Sequence, residues 1–143
     1  DVCSSDLEIQ CAVVSTKIKY LEKWNKRRQE IAQKILGALK NSTATLPIVP
    51  AGYQHVFHQF TLRVKNRDDV VKQLTEKGIA SGIYYPVPIH LQKAYAHLNL
   101  KAGLAPVAEK TANEVLSIPC YPELLDSEVD YMISVLKSVL ALA

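Results

Sequence analysis

From Glu8 to Lys40 the chain carries one helical pattern with no proline in it. Ile9, Val13, Tyr20, Leu21, Trp24, Ile31, Ile35 and Leu39 recur at steps of mostly three, four or seven, which sets them along one stripe. Gly37 is the only residue there of severely low helix propensity, and it lies near the end. At about 1.5 Å per residue such a helix would run roughly 50 Å. That is long for one domain, which is what 143 residues suit. The pattern therefore allows a kink or a break. Its polar side is basic: Lys17, Lys19, Lys23, Lys26, Arg27 and Arg28.

Behind the helix the periods change. Asn41 to Thr45 is a polar linker, and Leu46 to Val49 reads as a short strand closed by Pro50 and Gly52. His55 to Val64 alternates, with Val56, His58, Phe60, Leu62 and Val64 on one face, which predicts a strand. Asn66 with Asp69 resembles a capping box for a helix whose buried stripe is Val70, Val71 and Leu74, and Gly78 is placed as its C′ residue. Ile79 to Tyr85 returns as a strand. Leu91 to Leu98 suits a short helix, and Pro106 suits the first position of a helix over Val107 to Leu116. Ser117 to Pro122 reads as a kinked, extended piece. Asp126 or Ser127 then caps a last helix with Val129, Met132, Ile133, Leu136, Val139 and Leu140 on its apolar side. The order predicts an α+β domain: a small, largely antiparallel sheet with helices on one face, preceded by the long helix.

With 48% hydrophobic residues the chain can bury a core, and a net charge of +3 is too small to argue for nucleic acid. No apolar run approaches the ~20 residues of a membrane span, and no leader pattern is visible. Cys3, Cys11 and Cys120 have an odd count and no metal or redox spacing, which predicts free thiols in a reducing cytoplasm. His55 and His58 form an H-x-x-H, but on a strand they face opposite sides, so no metal site is expected. No glycine-rich phosphate loop and no nucleophile elbow occur. The opening Asp1-Val2-Cys3-Ser4-Ser5-Asp6-Leu7 reads as a translated sequencing adapter, so residues 1–7 are set apart as an artefact and the domain is taken as residues 8–143.

The segment Gly82-Ile83-Tyr84-Tyr85-Pro86-Val87-Pro88-Ile89-His90-Leu91-Gln92 places aromatic hydroxyls and an imidazole at an element end, held by two prolines. Tyrosine hydroxyls can hydrogen-bond sugar or phosphate oxygens, and the rings can stack or pack into a core.

Several pieces of the chain resemble one family. They are Glu8 to Val14, Leu21 to Arg28, His55-Val56-Phe57-His58 with Arg63, Gly78-Ile79, Gly82 to Gln92, and Ala108-Glu109-Lys110 through Ile118-Pro119 and Tyr121-Pro122. In this order and spacing they resemble the C-terminal part of a sugar-nucleotide aminotransferase of the DegT/DnrJ/StrS type. The resemblance implies the small domain of a fold-type-I enzyme that depends on pyridoxal phosphate (PLP). Such an enzyme passes an amino group, usually from glutamate, to a nucleotide-linked keto-sugar, with PLP doing the carbanion chemistry. It also implies a homodimer, and a long helix (8–40) linking to a large domain that holds the Schiff-base lysine. No lysine here lies in that context, so no catalytic residue is assigned and the 143 residues are expected to be inactive alone. Tyr84, Tyr85, His90, Gln92, Tyr95 and His58 are the expected substrate-binding residues. Many relatives carry His where this chain has Tyr84, so the resemblance carries no specific proton-transfer or phosphate role over to that position. The alternative is a stand-alone α+β ligand-binding or interaction module whose basic helix docks an acidic partner.

Overall fold

The long helical pattern breaks once. In the computed structural model, which describes residues 4–140, α1 (Ser4–Lys17) passes through a 3-10 turn, Ile18–Tyr20, into α2 (Leu21–Leu39). Val13, Val14, Thr16 and Ile18 crowd β-branched side chains just before and into the turn. Thr16 Oγ1 also donates to the Ala12 carbonyl at 3.0 Å, a bond that bends helices. The two halves have different fates. In α2, Ile31, Ala32, Ile35 and Leu39 are buried, whereas Ile9 on α1 is 71% exposed and Val13, Val14 and Ile18 lie open. Cys3 and part of the segment read as adapter-derived fall outside the described residues.

The sheet is smaller than the alternation suggests. β1 (Phe60–Arg63) pairs antiparallel with β2 (Val115–Ile118), Phe60 opposite Ile118 and Leu62 opposite Leu116. Single bridges add Thr45 beyond Arg63 and Gly82 beyond Ser117. The expected strand at 46–49 does not form, its neighbour Thr45 making the bridge instead, and the one at 79–85 reduces to the Gly82 bridge. The expected strand from His55 begins only at Phe60, because His55 Nδ1 accepts the Phe57 N–H at 2.9 Å and takes it from any ladder. Phe57 turns left-handed (φ 48) and goes inside against Phe60, while Val56 is left exposed.

Beyond β1, α3 (Arg67–Glu76) ends as expected at Gly78, which has the positive φ (73) that glycine tolerates, and its N–H reaches the Thr75 carbonyl. Asn66 occupies the N-cap position but makes no side-chain cap bond. The neighbouring Arg67 is buried instead, donating to the Ala112 carbonyl at 3.1 Å. Two 3-10 turns, Ile89–Leu91 and Lys93–Leu98, replace the short helix expected at 91–98. α4 starts at Pro106, as its N1 chemistry predicts, but stops at Glu114, so that Val115 and Leu116 belong to β2. The sequence pattern predicts a helix end and an extended piece where β2 lies. The strand is buried along its whole length, so it shows no alternation to detect. α5 (Asp126–Val139) is capped at Leu125, whose N–H donates to Glu128 at 2.8 Å.

The core joins α2, α3 and α5 to the sheet: Ile35, Leu39, Leu62, Leu74, Leu116, Val129 and Leu136 are fully or almost fully buried. Arg27 and Arg28 tie α2 to the loop before α5. Arg27 donates to the Leu124 carbonyl at 2.8 Å and pairs with Asp126 at 2.9 Å, while Arg28 donates to the Cys120 carbonyl at 2.5 Å. Among the described residues no helix is long and apolar enough to cross a membrane.

The contrast between the two helix halves sets an expectation. Ile35→Ala should cost about 2–5 kcal/mol of unfolding free energy, as for a cavity in a packed core. Ile9→Ala should change it by no more than about 0.5 kcal/mol, as for an exposed site. Urea unfolding of the two variants measures both values.

Candidate functional site

Gly82 is stitched to β2 by two backbone bonds, its N–H to the Ser117 carbonyl at 2.9 Å and the Ser117 N–H to its own carbonyl at 2.7 Å. Two residues on, the chain leaves the sheet, and Tyr84 and Tyr85 stand edge to face with ring centres 5.9 Å apart. Both rings are largely exposed, Tyr84 at 48% and Tyr85 at 75%. Neither packs into the core.

Two hollows meet at Tyr84. The larger, about 660 Å³, lies between the segment carrying Tyr84, Tyr85, Val87, Ile89 and Gln92 and the face of α4 carrying Val107, Ala108 and Thr111. It is mostly apolar, with hydroxyl and amide groups from the tyrosines, Gln92 and Thr111. The smaller, about 410 Å³, is the more polar of the two, with Arg28, His58, Gln59, Ser81 and Tyr121 set among apolar neighbours. Burial pushes the Cys120 thiol on its wall up, with Arg28 opposing, so this cysteine stays a protonated wall residue and not a nucleophile.

The expected site residues thus divide. Tyr84, Tyr85 and Gln92 share the larger hollow, and His58 meets Tyr84 across the cleft. Tyr95 is on neither wall. His90 lines neither; its Nε2 lies 3.0 Å from Glu109 Oε1 on α4. Glu109 accepts the Gly103 N–H at 2.8 Å and the Ala105 N–H at 3.2 Å with the same oxygen. His90 and Glu109 thereby pin both ends of the 89–105 excursion to the start of α4, and Gly103 supplies the positive φ (93) that the turn requires. Sequence reading missed Arg28, Ser117 and Glu109 as parts of this region. In the sequence Arg28 belongs to the basic side of the long helix, Ser117 opens the kinked, extended piece, and Glu109 carries no motif beyond the family pattern.

The whole-chain comparison decides the affiliation. The family model described as the DegT/DnrJ/EryC1/StrS aminotransferase family matches residues 7–137. The chain belongs to the DegT/DnrJ/EryC1/StrS aminotransferase family. It is 42% identical over 132 residues to the erythromycin biosynthesis sensory transduction protein EryC1 of Saccharopolyspora erythraea, covering 92% of this chain and 36% of that protein. Similarity to the UDP-N-acetyl-3-dehydro-α-D-glucosamine 3-aminotransferase of Acidithiobacillus ferrooxidans is 39% identity over 133 residues, 93% of this chain and 36% of that one. The structure superposes on S. venezuelae DesV in complex with a ketimine intermediate with a TM-score of 0.90 at 33% identity, covering 94% of this chain and 36% of DesV. The chain therefore spans about a third of the length of these relatives. As a family segment it has the α+β architecture and the long N-terminal helix that the resemblance implied.

The pinned excursion has a pH signature. The Gly103 N–H above all holds the Glu109 carboxyl below its ordinary value; partial burial opposes this, and Ala105 and His90 reinforce it. A depressed carboxyl stabilises the folded state above its unfolded pKa, and that contribution is lost as pH falls through the folded one. The Gly103 and Ala105 amide resonances should therefore move together at a pH below the usual carboxylate value of about 4.3. Glu109→Gln should abolish the transition. Amides indifferent to acid in the unsubstituted chain would contradict this arrangement.

Proposed function

We propose that this chain forms the sugar-nucleotide side of a PLP-dependent aminotransferase that transfers an amino group from an amino acid, glutamate by the family resemblance, to a nucleotide-linked keto-sugar. The observation that carries the reading is the meeting at Tyr84 of an apolar, aromatic-edged hollow and a second, more polar cleft. The first suits a base or sugar face, which the Tyr84 and Tyr85 rings can cover. The second suits phosphate and sugar oxygens, toward which Arg28 and His58 offer donors. Gln92 adds an amide to the first hollow. His90 acts through Glu109 as a positioning residue for the wall.

Neither hollow at Tyr84 offers a lysine amine for a Schiff base or a carboxylate for the pyridinium nitrogen, so no step through the cofactor is derived for them. We infer that these groups belong to the large domain the resemblance implies, that the whole enzyme is a cytoplasmic homodimer, and that the 143 residues do not transaminate alone. The alternative of a basic helix docking an acidic partner is weakened by Arg27 and Arg28, which are engaged within the chain.

In a protein joining this segment to its catalytic portion, Tyr84→Ala should raise KM for the nucleotide sugar about 2- to 13-fold, the worth of one hydrogen bond of about 0.5–1.5 kcal/mol. KM for the amino donor should not move. Steady-state kinetics with each substrate varied separates the two, and an unchanged sugar KM would refute the assignment. The chain alone, mixed with PLP, should show neither saturable Schiff-base absorbance nor sugar amination.

A further inference from the structure

Tyr84 stands over a residue with no side chain. A Cβ added at Gly82 would lie 2.6 Å from Tyr84 Cε2 and 2.8 Å from both Cζ and Oη, far inside van der Waals contact. Its three nearest neighbours all belong to this one ring. Conformation does not demand glycine here, since the φ of Gly82 lies outside the left-handed region. Retreat of the backbone is also blocked, because Ser117 holds the N–H and the carbonyl of Gly82 at 2.9 and 2.7 Å. The ring is what would have to move, and it is the wall common to the larger hollow and the polar cleft.

We propose that Gly82 is a specificity-setting positioning residue: the missing side chain seats the Tyr84 ring as the partition between the two hollows, and any Cβ at position 82 displaces the ring and reshapes both. Its bearing on which nucleotide sugar is accepted rests on the function proposed above. The seat itself does not, and it can be tested with no ligand present.

The test uses the 143-residue chain as wild type, Gly82→Ala, Tyr84→Ala and the double variant. Proton NMR with labelled tyrosine, the Tyr84 signals assigned by their loss in Tyr84→Ala, should show cross-relaxation between the Tyr84 ring and the Gly82 α-protons. In Gly82→Ala the Tyr84 ring signals should shift, while the melting temperature should fall by only about 1–4 °C, because the clashing atoms are the far end of a half-exposed side chain that can swing aside. Where Tyr84 is already alanine, the same change at 82 should leave the melting temperature unaltered. Unshifted ring signals in Gly82→Ala, or an equal loss of melting temperature in both backgrounds, would overturn the proposal. Should Gly82→Ala fail to fold, a folded double variant supports the seat and an unfolded one overturns it. Nucleotide-sugar binding to the wild type, followed on the same Tyr84 signals, reports separately on the functional reading.

Discussion

Everything around the site depends on Ser117 being paired along both edges. A residue has one N–H and one carbonyl, and those of Ser117 go to Gly82. Its partner across β1, Thr61, must then be a non-hydrogen-bonded pair, the kind in which side chains come closest. The two hydroxyls meet there at 2.7 Å, which satisfies a buried serine that the ladder alone would leave unpaired. The same parity recurs two residues along β1. Arg63 gives its backbone bonds to Thr45, at 2.9 and 3.0 Å, so its pairing with Val115 is again non-hydrogen-bonded. A two-stranded ladder is thereby widened to four chain segments with only single bridges at its margins.

This narrow sheet explains why the site needs further support. A strand that ends after one bridge cannot orient the residues beyond it, and the chain from Tyr84 to Ala105 runs outside the sheet. Its order comes instead from side chains. Glu109 gathers the His90 imidazole and two backbone N–H groups, and Gln92 reaches the Val87 carbonyl at 3.5 Å. Carboxylates that accept several N–H bonds stay ionised, which makes Glu109 a dependable fixed acceptor at neutral pH. Glu114, at the other end of α4, is held the same way, chiefly by the hydrogen bond from Arg63. The helix that walls the larger hollow is thus anchored by a carboxylate at each end.

What was legible in the sequence follows from what leaves a periodic trace. The stripes of α2, α3 and α5 appear among the buried residues almost as read, because a helix with one covered face writes its period into the chain. Phe60, Leu62 and Val64 are likewise all buried. Two things left no trace. β2 is covered on both faces, so Val115 to Ile118 continue the apolar run of α4 without a change of period. The reversal at Phe57 is set by the His55 imidazole, and nothing in an alternating pattern announces a side chain that accepts the ladder's N–H. Within the site, the tyrosines and Gln92 were legible as polar aromatics and an amide beside prolines. Arg28 and Ser117 come from distant parts of the chain, and only the fold brings them to Tyr84.

The basic helix shows how the same charge can be read two ways. As a sequence, Lys17 to Arg28 is a stripe that could face an acidic partner. In the fold its last two members point inward to the loop before α5, where carbonyls of Cys120 and Leu124 would otherwise lack partners. Guanidinium suits this task because its planar fork serves two acceptors at once, and Arg27 does so with Leu124 and Asp126. Arg28 bonds the Cys120 carbonyl through one terminal nitrogen only and also borders the polar cleft, so the other can face it. One side chain can therefore close the fold and furnish a donor to the site. Replacing it with lysine would keep the charge but leave a single ammonium to do both.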